Sequence, residues 1–372
     1  MKFAIITHTE HIKSEKLFFG YSPYVREMNI WLKHVDEVII VAPVSESPVT
    51  AIHSDYKHSK IDFREIKKFD IKSGIAAIYA LFSIPKTAIE IYKAMKKADH
   101  IHLRCPGNIG LLGCLVQIFF PNKTKTAKYA GNWDPKSKQP ISYRLQKWIL
   151  SNTFLTKKMQ VLVYGEWANQ TKNIKPFFTA TYNEIDKISV QERNLTDKIK
   201  FIYAGTLSAG KRPLIAVQVV ETLYRKGYDV SLDIFGEGVK NEEITTYLKT
   251  HNLLDIVNLR GNQSAETVRE AYIKSHFLIL ASQSEGWPKV VAEAMFWGCV
   301  PVATRVSCVP NMLENGKRGV LLDLDKDNDV LQIENLLNDP KKYFDMSCKA
   351  KTWSRNYTLD SFELEIKKLL KK

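Results

Sequence analysis

The sequence predicts an α/β protein made of two doubly wound domains. Short, continuously apolar stretches, typical of parallel strands buried on both faces, alternate with stretches of helical periodicity. This alternation stops at the polar segment 183–198 and then restarts. At 372 residues the chain is also longer than one hydrophobic core usually supports. We therefore expect a first domain over residues 1–190 and a second over residues 191–355.

The predicted elements follow one another as strand and helix in both halves. In the first half, strands are predicted at residues 2–7, 37–42, 61–66, 100–104, 124–130 and 159–163. One helix is predicted to begin near Ser22, and others to cover residues 75–97, 109–119 and 141–150. The helix at 75–97 is expected to have a kink or break at Pro85. In the second half, strands are predicted at residues 201–204, 230–235, 256–259, 277–281, 300–303 and 319–322. Helices are predicted there at residues 213–226, 242–249, 264–274, 288–297, 329–337 and 360–370.

The net charge is divided unevenly between the halves. Residues 1–200 hold 31 Lys and Arg against 18 Asp and Glu, a net +13 out of +14 for the whole chain. A solvated basic surface explains many lysine-rich stretches, but so uneven a division indicates that one domain faces an anionic partner. Lipid headgroups, a lipid diphosphate and nucleic acid all fit that description.

The apolar runs and cysteines indicate a cytoplasmic protein that does not span a membrane. No apolar run approaches 18 residues, and the N-terminal run is a strand rather than a signal peptide. Five cysteines lie far apart without CxxC spacing, as expected for free thiols and not for a disulfide framework or a zinc site.

Two carboxylates eight positions apart, Glu285 and Glu293, form the most informative motif. They follow the apolar run 277–281, and the intervening chain changes from loop to helix at Pro288, so the motif opens at the carboxyl end of the sheet. Glu293 then lies roughly 7.5 Å further along the helix than Pro288, on the face of Lys289. An ordinary surface Lys–Glu pair is the alternative, but the neighbouring residues are almost wholly apolar. The motif therefore predicts contact with an elongated polar ligand.

The run Ser284–Met295 resembles the E-x7-E motif of retaining, nucleotide-sugar-dependent glycosyltransferases of group 1. The resemblance implies the GT-B fold: two Rossmann-like domains facing across a cleft, with a C-terminal helix, here 356–372, crossing back to the first domain. It also implies that Glu285 contacts the donor sugar and that Glu293 holds the nucleotide ribose. Such enzymes use a UDP-, GDP- or ADP-sugar as substrate and need no cofactor and no metal.

A second motif follows the strand at 201–204 and opens the helix at Pro213. Its glycines, among them Gly205, allow close approach of a ligand, and Lys211 and Arg212 lie near a positive helix end. As a bare pattern it is equally consistent with a simple βα turn. By resemblance Lys211 is the phosphate-binding lysine of the family, and Thr206 replaces an arginine. The remaining donor-side candidates are Gly236, Asn262, Gly286, Trp287 and Lys289.

Candidates for the acceptor side follow strands of the first domain. They are His8, Arg104, Asn132 and Asp134. Loops at strand ends are polar in any case, and a glycine-rich first loop and a histidine common in the family are missing here. An acidic stretch at residues 323–334 has the spacing of a calcium-binding loop, but Asn328 replaces the turn glycine. We expect its carboxylates to cap a helix instead.

The resemblance predicts transfer of a sugar to a glycan or lipid-linked acceptor with retention of configuration, in cell-surface polysaccharide or lipopolysaccharide synthesis. The basic half then predicts peripheral attachment to the anionic inner face of the cytoplasmic membrane, and no nucleic acid as partner. Alternatives are a sugar-nucleotide epimerase or phosphorylase of the same fold, and a nucleic-acid or anionic-surface binding protein. A nicotinamide-binding protein is a further alternative, but this sequence lacks a complete dinucleotide fingerprint.

Overall fold

The computed structural model of this protein describes residues 1–15, 17–50, 52–68 and 74–371, without the side chains of 74–82. The chain divides into two units. Unit 1 consists of Met1–Phe177 and Phe362–Lys372, and unit 2 of Phe178–Ser361. Each unit is built around its own parallel sheet.

Unit 1 contains a seven-stranded sheet in the order β10-β9-β8-β7-β1-β4-β6, with every neighbouring pair parallel. The elements of unit 1, including three strands of a small second sheet, are β1 (Lys2–Ile6), β2 (His11–Ser14), β3 (Leu17–Tyr21), α1 (Ser22–Leu32), β4 (Glu37–Pro43), β5 (His53–Asp55), β6 (Ile61–Ile66), α2 (Gly74–Lys97), β7 (His100–Cys105), α3 (Asn108–Val116), β8 (Thr124–Tyr129), α4 (Ile141–Ser151), β9 (Met159–Tyr164) and β10 (Ile174–Phe177). The strand order reverses between β1 and β7, as the predicted doubly wound topology requires.

An antiparallel sheet of β2, β3 and β5 was not predicted. Its strands are only four, five and three residues long, which is too short for a clear alternating pattern. Strands β2 and β3 lie in the segment after β1, where the sequence predicts a loop, and β5 follows β4.

Unit 2 contains a six-stranded parallel sheet in the order β13-β12-β11-β14-β15-β16. Its elements are β11 (Ile199–Ala204), α5 (Pro213–Arg225), β12 (Val230–Phe235), α6 (Asn241–Thr250), β13 (Val257–Gly261), α7 (Ala265–Lys274), β14 (Phe277–Leu280), α8 (Lys289–Phe296), β15 (Val300–Thr304), α9 (Val309–Met312), β16 (Val320–Leu322), α10 (Lys326–Leu337), α11 (Pro340–Ser354) and α12 (Leu359–Leu370), which continues into unit 1. Every residue of β14 and β15 is buried, in agreement with their continuous apolar runs.

Most of the final helix, from Phe362 onward, belongs to unit 1, as the resemblance implied. Phe362 of α12 packs against Phe177 at a ring distance of 5.4 Å, and Glu363 accepts a hydrogen bond from Lys33 Nζ at 2.9 Å. Phe362 also lies 5.1 Å from the Nζ of Lys128, a fully buried lysine. Glu27 Oε1 lies 3.3 Å from the same amine. A buried ammonium is tolerated because a carboxylate and aromatic faces replace its water.

The units divide after Phe177 and after Ser361, whereas the sequence places the first boundary at residue 190 and the second at 355. Contacts of the polar segment 183–198 account for the first difference. Within unit 2, the Arg193 guanidinium donates hydrogen bonds to the carbonyls of Tyr272, Ile273, Trp297 and Gly298 at 2.8–3.2 Å. The segment therefore fastens the C-terminal ends of α7 and α8.

Replacing Arg193 with alanine is expected to lower the free energy of unfolding of the protein by about 2–4 kcal/mol, because four buried or half-buried carbonyls lose a charged donor. Lysine at this position cannot serve four acceptors in one plane and should restore only part of the loss. Urea denaturation measures both values. The neighbouring, exposed Glu192→Ala is the matched control, and equal stability of the Arg193 and Glu192 variants would contradict this role.

Candidate functional site

Four loops meet at the carboxyl edge of the unit 2 sheet. They follow β11 (205–212), β12 (236–240), β13 (262–264) and β14 (281–288). All the strands of this sheet are parallel, so their carboxyl ends share one edge, where ligands of open α/β sheets bind. The donor-side candidates of the sequence lie in these loops or in the first two turns of α8, which follows the last of them.

The glycine-rich loop after β11 is held by backbone contacts with the loop after β12. Leu207 N donates to Glu237 O at 3.0 Å, and Lys240 N donates to Leu207 O at 2.9 Å. Gly236 has φ +135°, and a Cβ there would lie 2.0 Å from the Gly205 carbonyl oxygen. These glycines therefore permit two loop backbones to touch.

The structure brings Lys211 and Glu285 together across 74 positions of sequence. Lys211 Nζ donates to Glu285 Oε1 at 2.5 Å, and the two side chains are 32% and 8% exposed. Burial raises the pKa of Cys308 to about 12, and the charge of Glu285 adds to this effect. Burial and the charge of Glu285 likewise raise the pKa of Tyr203. The Lys211–Glu285 pair thus lies beside two groups that stay protonated at neutral pH.

Glu293 has different partners from Glu285. Its Oε1 accepts from Thr181 Oγ1 at 2.7 Å, and its Oε2 accepts from Tyr272 OH at 3.4 Å. Burial raises the pKa of Glu293, although the Thr181 hydrogen bond, the charge of Lys289 and the Tyr272 hydroxyl each oppose this shift. Glu293 and Lys289 line one small pocket with Thr181. The motif therefore places one carboxylate beside a lysine and the other in a pocket of hydroxyls.

The side chain of Trp287 anchors the loop between the two carboxylates. Its ring stacks on Trp353 of α11 at 6.1 Å and meets Tyr357 edge-on at 5.6 Å. The carbonyl of the preceding Gly286 accepts from Ser307 Oγ at 3.2 Å and from Cys308 Sγ at 3.1 Å. The loop is thus fixed on both sides before α8 begins.

Two further donor-side candidates lie at the rim. Arg212 occupies the N-cap position of α5 and has a left-handed backbone with φ +50°. In the amide orientation of Gln283 that pairs donors with acceptors, Arg212 Nε donates to the Gln283 amide oxygen at 3.2 Å. Asn262 is exposed after β13. Sequence reasoning missed Thr181, Tyr203, Tyr272, Gln283 and Cys308. Only Tyr203 and Gln283, which adjoin the ends of predicted strands, carried a positional signal.

Residues 184–353, within unit 2, match the family described as "Glycosyl transferases group 1". Unit 2 is a group 1 glycosyltransferase domain. The chain is 30% identical over 182 residues to N-acetylgalactosamine-N,N'-diacetylbacillosaminyl-diphospho-undecaprenol 4-alpha-N-acetylgalactosaminyltransferase of Campylobacter jejuni, covering 47% of this chain and 48% of that protein. It is 26% identical over 187 residues to D-inositol 3-phosphate glycosyltransferase of Paenarthrobacter aurescens, covering 47% and 46%. The matches thus span about half the length of these relatives.

Solved structures resemble the whole chain. HepE of Anabaena in complex with UDP and glucose superposes with a TM-score of 0.69 at 12% identity, covering 100% of both chains. Sucrose-phosphate synthase from Thermosynechococcus elongatus superposes with a TM-score of 0.65 at 16% identity, covering 100% of this chain and 98% of that one. These likenesses show the fold, and the predicted GT-B fold is confirmed.

In unit 1, which precedes the glycosyltransferase domain, two acceptor-side candidates meet at the carboxyl edge. A Cβ on Gly107, just after β7, would lie 3.0 Å from His8 Nδ1. The surrounding protein and the Arg104 charge lower the pKa of His8, although its side chain reaches solvent. Arg104 Nη1 donates to the buried Glu27 Oε1 at 3.3 Å, and its guanidinium lies 5.2 Å from the Tyr24 ring. The structure thus presents a fixed arginine beside a histidine whose pKa is lowered.

The other two candidates, Asn132 and Asp134, organise the loop after β8. Asn132 Oδ1 accepts from Asp134 N at 2.9 Å, and Asp134 Oδ1 accepts from Lys136 N at 2.8 Å. Burial lowers the pKa of the nearby Lys147 to about 8, although the charge of Asp134 opposes the shift. Lys147 was not singled out by the sequence, because one lysine in a basic helix carries no distinguishing pattern.

The acidic stretch near the end of the glycosyltransferase domain holds its own backbone. Asp329 accepts from the backbone N–H groups of Asp323 and Leu324, each at 3.0 Å, and the Asp325 side chain caps α10. The described part of the chain contains no group of three or more His, Cys, Asp and Glu residues placed to hold a metal ion. Among the helices in that part, none is long and apolar enough to cross a membrane.

Proposed function

We propose that this protein transfers a sugar from a nucleoside diphosphate sugar to a glycan or lipid-linked acceptor with retention of anomeric configuration. The observation that carries the proposal is the Lys211–Glu285 pair at the carboxyl edge of the glycosyltransferase domain, beside the packed glycine loops. The names of the relatives support it, since one acts on a diphospho-undecaprenol acceptor and a similar structure holds UDP and glucose. Synthesis of a cell-surface polysaccharide or lipopolysaccharide is the setting we propose.

In this proposal the two carboxylates hold different parts of the donor. Glu293 accepts hydrogen bonds from the ribose hydroxyls, as it accepts from the Thr181 and Tyr272 hydroxyls. Glu285 accepts from hydroxyls of the sugar. Lys211 moves its ammonium from Glu285 to the diphosphate, and Arg212 lies next to it in the loop. The backbone of the loop after β11, close to the start of α5, adds N–H donors near the phosphates.

The reaction breaks the bond between the anomeric carbon and the diphosphate oxygen, and the bonding electrons leave with the diphosphate. A cation already in place beside that oxygen stabilises the transition state more than the bound donor, because negative charge on the oxygen increases as the bond breaks. The acceptor oxygen attacks from the side of the leaving group, which retains configuration. Its proton passes to the departing diphosphate, so no protein base and no metal are required.

The acceptor is proposed to reach unit 1. His8 and Arg104 lie together at its carboxyl edge, and a fixed guanidinium suits a phosphate of a lipid-linked acceptor. The excess of basic residues in this half of the chain favours attachment to the anionic cytoplasmic face of a membrane.

Nucleotide binding tests the donor assignment. One nucleotide among UDP, GDP and ADP should raise the melting temperature, since a ligand at about 100 times its Kd stabilises by about 2.7 kcal/mol. Glu293→Gln should weaken binding of this nucleotide by about tenfold, because the variant loses a charged acceptor for the ribose hydroxyls. Glu285→Gln should bind the nucleotide normally and lose turnover of the nucleotide-sugar.

The assignment fails if neither the three nucleotides nor the corresponding nucleotide-sugars shift the melting temperature. It also fails if the two glutamine variants have the same nucleotide binding and the same turnover. Retention is measured separately, from the anomeric proton coupling of the product by NMR. A product of inverted configuration would contradict the front-side mechanism and leave the nucleotide site intact.

A further inference from the structure

Two neighbouring helices of unit 1 expose large apolar side chains. The exposed fractions are 73% for Phe119, 82% for Ile141, 60% for Trp148 and 75% for Phe154. Single exposed apolar residues are common on soluble proteins, but these belong to α3, α4 and the segments that follow them, and α3 packs against α4. We give the name α3–α4 face to the exposed apolar side chains of these segments, which are Leu115, Phe119, Ile141, Leu145, Trp148 and Phe154.

The sequence of α4 gives it two apolar sides. Ile149 and Leu150 are buried in the core of unit 1. Ile141, Leu145 and Trp148 recur at spacings of four and three, so they share a second stripe, which is exposed and borders the buried one. A helix that only covers a sheet needs the first side and not the second. The second side is therefore a candidate docking surface.

The surroundings of this face are strongly basic. Residues 83–158 contain 14 Lys and Arg against 3 Asp and Glu, and of these Lys125 and Lys128 are buried. Lys157 Nζ lies 5.1 Å from the Phe154 ring, and Lys136, Lys138 and Arg144 are exposed near the start of α4. A second copy of the chain would bring these like charges together, whereas a surface of lipid phosphates would neutralise them.

We infer that the α3–α4 face docks on a bilayer containing anionic phospholipid, with its aromatic side chains among the headgroups and the lysines on lipid phosphates. Tryptophan and phenylalanine beside lysine are the composition of interfacial helices. This inference rests on the proposed function in one respect, since a lipid-linked acceptor requires a membrane. It adds the surface and a mode of attachment that includes apolar insertion as well as charge.

One end of the face, at the start of α4, suits such an acceptor. Helix α4 begins after the loop that follows β8, so Ile141 lies toward the carboxyl edge of the sheet that also carries His8 and Arg104. A lipid phosphate at the membrane surface would then be presented to that edge.

Flotation of the full-length protein with lipid vesicles tests the inference. Vesicles with roughly 30% phosphatidylglycerol should bind the protein, and phosphatidylcholine vesicles should bind it much more weakly. At about 0.5 M NaCl, where the Debye length is only about 4 Å, part of the binding should persist, because insertion of aromatic rings does not depend on charge. Attachment by charge alone would lose all binding at that salt concentration and would overturn the inserted mode.

The double variant Trp148→Ser, Phe154→Ser should lower the partition coefficient at least tenfold and remove the binding that persists in salt. Leu364→Ser, at an exposed apolar position of α12, is the matched control and should bind like the parent protein. Unchanged vesicle binding by the double variant would refute the surface. So would a parent dimer, seen by size-exclusion chromatography, that the double variant converts to a monomer with vesicle binding unaltered.

The inference and the proposed function fail separately. The double variant must keep the parent melting temperature and the parent shift with nucleotide, since its substitutions lie on exposed side chains of unit 1. Loss of vesicle binding with the nucleotide shift intact supports the surface. Vesicle binding without any nucleotide shift refutes the donor assignment and leaves the surface standing.

Discussion

Lys211→Ala is expected to lower kcat/KM for the nucleotide-sugar by about 10²- to 10³-fold, which corresponds to about 2.7–4 kcal/mol of transition-state stabilisation. The loss should fall mainly on kcat. In the proposed mechanism the lysine meets the diphosphate both before and during bond cleavage, but its attraction increases as charge develops on the leaving oxygen. Steady-state kinetics with the donor that the nucleotide panel identifies measure this effect.

Lys226→Ala is the control for this variant. Lys226 caps the other end of α5 and pairs with Glu334 at 2.6 Å on the surface, so its loss should leave kcat/KM within about twofold. Lys211→Arg keeps the charge and should recover part of the activity. Activity of Lys211→Ala equal to that of Lys226→Ala would remove Lys211 from the mechanism.

Gly236→Ala is expected to destabilise the glycosyltransferase domain by about 3 kcal/mol or more and to abolish nucleotide binding. The added Cβ would lie 2.0 Å from the Gly205 carbonyl oxygen, and the φ of +135° is unfavourable for any side chain. To relieve this steric clash, one of the two loop backbones must move. Such a movement displaces the loop that carries Lys211. Thermal unfolding should show a loss of roughly 6–12 °C.

Gly210→Ala is the matched control, in the same loop as Gly205. A Cβ at Gly210 meets nothing within 4 Å, so this variant should unfold and bind nucleotide like the parent protein. If Gly236→Ala were as stable as Gly210→Ala, the loop contact would not be a requirement of the site.

The buried strands were predictable because complete burial leaves a direct mark on the sequence. The apolar runs of β14 and β15 could be identified from residues alone, and so could the turn from loop to helix at Pro288. Helix α11 was missed. Its buried residues Tyr343, Met346 and Ala350 are spaced as in a helix, but lysine, aspartate and serine separate them and weaken the apolar pattern.

The candidate site was predictable only where it is local in sequence. Glu285 and Glu293 stand in one motif, and the position of Lys211 came from a strand–loop–helix pattern. The ion pair between Lys211 and Glu285, 74 positions apart, and the hydrogen bond from Thr181 to Glu293, 112 positions apart, depend on which strands become neighbours. Strand order is a property of the whole sheet, so no single stretch of sequence encodes those contacts.

The assignment of Phe362–Lys372 to unit 1 has a consequence for biosynthesis. Unit 2 is inserted into unit 1, so the ribosome releases every residue of the glycosyltransferase domain before it releases the helix that completes the preceding unit. Until then Lys128 lacks the aromatic face of Phe362, and Lys33 lacks Glu363. Domains fold as units during translation. The glycosyltransferase domain is therefore the first to be complete, and unit 1 matures only after translation of α12.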